Sequence, residues 1–172
     1  MEGNFNKIAI GIVTLLIIGA VAFVLFVPKG SPESNLLGEQ IADQGRDHIA
    51  PGSSHNPYNS NPPTSGPHWE KQSDCKVYDE PVTDEASIHS LEHGAVWITF
   101  KDKDDKELAD RLKSVVEKDP TKVLLSPRPE NDSKIALASW TRLMKLDAFD
   151  ESQITTFIKS NRNNAPEGLA GC

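Results

Sequence analysis

Five histidines, His48, His55, His68, His89 and His93, fall between residues 48 and 93, and the rest of the 172-residue sequence has none. A neutral imidazole offers a lone pair to a metal ion near pH 7, because its ordinary pKa of about 6.5 leaves most of the ring unprotonated. His89 and His93 are four residues apart, a spacing that on a helix stacks both rings on one face, as two-histidine metal sites do. His48 and His68 each lie beside a rigidifying element, Ala50-Pro51-Gly52 and Ser65-Gly66-Pro67. Fixed backbone helps a ligand, because less ordering entropy is lost when the ion binds. The competing reading is that each imidazole simply ties an irregular loop to the domain. Such a loop lacks ladder bonds and needs side chains to satisfy its buried backbone groups.

His89-Ser90-Leu91-Glu92-His93 also matches the H-x-x-E-H pattern of inverted zinc proteases. That chemistry needs a sustained helix and a glutamate poised as general base. Here Gly94 and an apolar run end the helix at once, so a metallohydrolase is only a third reading, one that demands an open coordination position beside Glu92. The stretch Asn61-Pro62-Pro63-Thr64-Ser65-Gly66-Pro67-His68-Trp69 is either a chain of turns or a stiff platform presenting His68 and Trp69. It lacks the flanking basic residue that proline-rich peptide ligands carry. Cys75 and Cys172 are the only cysteines, and no C-x-x-C redox motif exists. They can pair, as an even count in an oxidising compartment favours, or Cys75 can act as a soft ligand; the pairing is the preferred reading.

The elements that must position these residues are legible from Thr83 onward. Thr83 or Asp84 can cap a short helix through residues 85–93, with Gly94 as a left-handed terminator. Residues 95–100 are β-branched and aromatic, a strand. Leu108, Leu112, Val115 and Val116 mark an amphipathic helix over residues 104–119. Residues 122–126 and 134–140 read as two further strands, expected to pair with each other through the polar loop between them. Asp150 and Gln153 form a capping box for a last helix carrying Ile154, Phe157 and Ile158. The expected fold class is α+β: a long Pro/His-rich irregular segment, then a small β-α-β-β-α domain.

Residues 8–27 carry no charge and a single polar side chain, Thr14. Twenty such residues as a helix span roughly 30 Å, the thickness of a bilayer core. Ala20-Val21-Ala22 offers a signal-peptidase-like alternative, but the apolar run continues past it. The expected order is a cytoplasmic tail (1–7), a transmembrane helix (8–27), a stalk (28–44), an extracytoplasmic domain (45–162) and a loose tail (163–172). Lys7 and Lys29 flank the span equally, so only the N-terminal amine favours the tail inside. The net charge of −7 repels phosphate backbones, so nucleic acid is not an expected partner.

Several segments occur in an order that resembles a known family. They are Gly45-Arg46-Asp47-His48-Ile49, Tyr58 to Trp69, His89-Ser90-Leu91-Glu92-His93-Gly94, Val96-Trp97-Ile98, Ser126-Pro127-Arg128-Pro129 and Leu137 to Arg142. Over about residues 45 to 160 the chain looks like the domain of unknown function 3105, mostly membrane-anchored or exported microbial proteins. The resemblance implies an extracytoplasmic domain and a pattern that includes His48, His68, His89 and His93 but not His55. Thr141 stands where the family more usually has glycine. No activity comes with the resemblance. The leading expectation is a membrane-anchored domain holding copper or zinc through His48, His68, His89 and His93, with Glu92 as orienting group or alternate ligand. The alternative is a non-catalytic structural or protein-interaction module of the cell envelope, its partner unknown.

Overall fold

Val96–Phe100 (β4) is apolar on both faces, and every one of its residues is buried. A strand with no polar face belongs at the centre of a sheet covered on both sides. It is the seed from which the fold of this computed structural model, which describes residues 36–167 and Cys172, is most easily read. In chain order, Glu39–Gln40 (β1), His48–Ile49 (β2) and His68–Trp69 (β3) precede the helix Asp84–Glu92 (α1) and β4. Lys106–Lys118 (α2), Val123–Pro127 (β5), Ile135–Ser139 (β6), Arg142–Leu146 (β7) and Glu151–Asn161 (α3) follow. The main sheet runs β1-β7-β6-β4-β5, and β2 and β3 form a separate two-stranded ladder. The α+β class stands.

Alternation along the strands sorts the core onto two faces. Val96, Ile98, Phe100, Leu125, Ile135 and Leu137 meet Leu112 and Val116 of α2 and Ile154, Phe157 and Ile158 of α3. On the opposite face Trp97, Leu124, Ala138 and Trp140 pack with Ile88 and Leu91 of α1. The predicted helices lie within a residue or two of their expected limits. Asp105 and Asp150 accept from the backbone N–H three residues on, at 3.0 Å each, as N-caps. Gly94 follows α1 at φ +85°.

Three expectations are corrected. The strands at 122–126 and 134–140 do not pair with each other. Instead β4 lies between them, parallel to β5 and antiparallel to β6. The intervening loop crosses the end of β4, with Arg128 N donating to Phe100 O at 2.8 Å and Lys101 N to Lys134 O at 3.0 Å. Sequence proximity favours the hairpin, but burial of both faces of β4 puts that strand in the middle. Strand β7 was not anticipated: its turn at Trp140–Thr141 carries Thr141 at φ +56°, without the glycine that normally signals such a turn. The folded unit also includes part of the expected stalk and tail. β1 pairs with β7, and Asn161 accepts from Leu37 N at 2.8 Å and donates to Leu37 O at 2.9 Å. At the other end, Asn163 N donates to Gly94 O at 2.8 Å, Asn164 Nδ2 to Trp140 O at 2.6 Å, and Cys172 is joined to Cys75. Both segments are mostly polar; besides Leu37 and Cys172, which pack against the core, and the disulfide, their order comes from backbone and amide bonds that leave no periodic pattern.

The expected span at 8–27 lies outside the described residues. Among the described residues no helix is long and apolar enough to cross a membrane.

Candidate metal centre

The proline-rich segment is ordered by side chains rather than by ladders. Tyr58 Oη donates to Pro67 O at 2.6 Å, Asn59 Nδ2 to Ala42 O at 2.8 Å, and Gln44 N to Ser65 Oγ at 3.0 Å. The Asn61–Pro62 bond is cis, and Pro62 to Gly66 are buried. Gly66 N and His68 N then donate to Gly45 O and Asp47 O, both at 3.0 Å. That zipper sets the parallel register in which His48 faces His68 and Ile49 faces Trp69. A two-residue ladder thus holds two imidazoles side by side, and α1 packed against β3 brings His89, Glu92 and His93 to them.

The ring centroids of His48, His68 and His89 stand 4.9 to 5.2 Å apart. His68 is fully buried, His89 is 7 % exposed and Glu92 1 % exposed, while the His48 side chain is 44 % exposed. His68 Nδ1 lies 2.8 Å from Gly66 O, and His89 Nδ1 lies 2.7 Å from Trp69 O. A carbonyl only accepts, so both Nδ1 atoms carry protons, and Nε2 is the atom each ring can offer to a metal ion. Metal-binding histidines are oriented in this way by the bond their other nitrogen makes. Burial, first of all, lowers the pKa of His89, and the neighbouring His68 and His93 act in the same direction against the Trp69 carbonyl and the Glu92 carboxylate. The ring therefore stays neutral, the form that ligates.

His68 Nε2 meets Glu92 Oε2 at 3.1 Å, and His48 Nε2 meets the same oxygen at 3.9 Å. One donor atom each from His48, His68, His89 and Glu92 lie within 4.8 Å of one another. Tetrahedral zinc with bonds of about 2.1 Å needs donors about 3.4 Å apart. The His68–Glu92 and His48–Glu92 separations lie on either side of that value, and the donors are of the right type. His48, exposed and on the shortest of ladders, is the member with room to move inward. The fit is good: this His-Glu group can hold a metal ion.

Not every anticipated residue belongs to it. His93, half-exposed at the end of α1, lies outside the compact group but touches it, its Nε2 2.9 Å from His89 Nε2. His55 is elsewhere, against Glu85 and Tyr58. Cys75 is bonded to Cys172 and is no ligand. Glu92 is held among the donors and against Arg46, at 3.8 Å, instead of standing free as a general base. Sequence reading missed Arg46, Asp47 and Glu167, which with His48 and Glu92 line an open cleft of about 400 Å³. The signal for Glu167 was available in Cys172: a disulfide to Cys75 requires the tail to return to the domain.

Residues 48–172 match the family model described as protein of unknown function DUF3105, well over half of the chain. The chain belongs to this family. The match begins at His48 and ends at Cys172, so every donor above and both cysteines fall inside it. It reaches the tail, beyond the range the motifs alone covered. Among curated proteins and solved structures, none matches the chain.

Proposed function

We propose that this protein is a membrane-anchored, extracytoplasmic metal-binding domain that holds one zinc or copper ion through His48, His68, His89 and Glu92. The observation that carries this reading is the pinning of two buried imidazoles by backbone carbonyls through Nδ1, which leaves Nε2 as the ligand atom each ring can offer beside one buried carboxylate. Three imidazoles and a carboxylate suit Zn(II) or Cu(II) better than the oxygen-preferring Mg(II) or Ca(II). The Cys75–Cys172 disulfide supports an oxidising compartment, and the charge-free stretch Ile8–Val27 supports an anchor. The test is calorimetry and metal analysis on the full chain in detergent. Binding of zinc or copper near stoichiometric, abolished by His68→Gln, is expected; no binding of either metal would refute the reading.

A second reading has its own observation. The His68–Glu92 contact at 3.1 Å is a hydrogen-bonded, fully buried pair, the kind of contact a purely structural network makes. The same variants separate the two. If the rings serve only the fold, His68→Gln and His89→Gln destabilise the protein equally with and without metal. If they are ligands, the metal-induced rise in melting temperature is what disappears.

A further inference from the structure

We infer that the centre takes a second divalent cation, with the Glu92 carboxylate shared between the two ions. This rests on the single-ion reading above. Glu92 belongs to two donor groups, His48/His68/His89/Glu92 and Glu92/His93/Glu167, each with its donor atoms within 4.8 Å of one another. Two ions bridged by a carboxylate stand about 3.5–4 Å apart in known two-metal sites. His89 Nε2 and His93 Nε2 stand 2.9 Å apart, a hydrogen bond in which one ring donates and which ligation of the two rings to separate ions would replace.

The charges favour a cation at the second position. The cleft over Glu92 presents three carboxylates, Asp47, Glu92 and Glu167, against one guanidinium, Arg46. Arg46 reaches Glu92 at 3.8 Å and lies 3.4 Å from Pro166 O, so it can swing toward solvent or the tail when an ion enters. The first group is three-quarters buried members, whereas the second has an exposed carboxylate and faces the cleft. The inner ion is thus enclosed and the outer one accessible to water and exchange.

Glu167 is not a chance neighbour. The chain leaving α3 is clamped over the end of α1 by Asn163 N to Gly94 O and by Asn164 to Trp140 O, and Cys172 is tied to Cys75. A carboxylate between two such fixed points is carried to Glu92 and His93 by the covalent frame.

The probe is Zn(II), titrated calorimetrically into the full chain in detergent with its disulfide intact, and counted by elemental analysis after desalting. Two ions per wild-type chain are expected, with the weaker one lost in Glu167→Gln and the tighter one retained. Glu167 is exposed, so an unchanged metal-free melting temperature verifies that the variant folds. A cobalt-substituted protein should show magnetic coupling between two Co(II) ions in the wild type and none in the variant. One ion per wild-type chain overturns this inference and leaves the single-ion site standing. Two ions in both proteins overturns the role of Glu167, and no ion at all overturns both readings.

Discussion

Arg128→Met tests whether the irregular platform and helix α1 are assembled by one buried guanidinium. Its Nε and Nη2 donate to the two oxygens of Asp84 at 2.8 Å each, and its Nη1 bonds Asn131 Oδ1 at 3.0 Å and Asn61 Oδ1. The Arg128 side chain is 8 % exposed and that of Asp84 26 %. Asp84 opens α1, the helix of His89 and Glu92, while Asn61 opens the platform that ends in His68. Methionine fills most of the volume, so the loss is polar: a carboxylate and two amide oxygens are left without a donor. Removing one partner of a buried ion pair costs about 3–5 kcal/mol. The partial exposure of Asp84 places this case near 3 kcal/mol, or about 12 °C in Tm for a domain of this size. Urea unfolding in chelator, followed by circular dichroism, measures it. Arg128→Lys keeps the charge without the fork and should lose about half as much. Zinc affinity should fall in Arg128→Met, because the two halves of the site lose their common brace. A change below about 1 kcal/mol with an unaltered m-value would refute the reasoning.

Three further outcomes are expected. Gly94→Ala should destabilise by at least about 1–2 kcal/mol, because Gly94 sits at φ +85° and a Cβ there would lie 2.7 Å from Asn163 Cα. Urea unfolding reads the loss, and faster amide exchange at Asn163 would show the tail loosening. Replacing Cys75 and Cys172 by serine opens a loop spanning a separation of 97 residues, worth about 4.7 kcal/mol in the chain-entropy model. A thermal scan with and without reductant compares the two forms. The third concerns acid. A hydrogen bond from Arg162 holds Asp119 below the ordinary carboxylate pKa, as bonds from Gln153 hold Asp150, so both bind protons more weakly folded than unfolded. Their stabilisation is present above the unfolded value of 3.8 and is lost as pH falls through the lower folded value. Urea titrations from pH 6 to 2 should show a shallower acid limb for Asp119→Asn and Asp150→Asn.

Much of this protein is written in local pattern. The 3.6-residue repeat of Leu108, Leu112, Val115 and Val116 gives α2, the caps at Asp105 and Asp150 place two helix starts, and the β-branched runs give β4, β5 and β6. The i, i+4 spacing of His89 and His93 predicts neighbouring rings, and their centroids are 4.8 Å apart. These features need only a few consecutive residues, and each is enforced by sterics and burial within one element. Strand order was not local. It depended on which strand could lose both faces to the core, and β4 took the centre between two strands that sequence proximity would have paired.

The site divides in the same way. The residue types were determined by the sequence, which put the histidines and Glu92 within one stretch and gave His48 and His68 each a stiff neighbour. Which of them share a point was decided by tertiary contacts alone. The His48–His68 register is set by Gly45 and Asp47 carbonyls, the tautomer of His89 by Trp69, and the approach of Glu167 by a clamped tail. Those bonds come from polar backbone groups and amides in segments with no periodicity. Their partners lie about 20 to 70 residues apart, as His89 and Trp69 or Asn163 and Gly94 do, and only the folded chain brings them within reach.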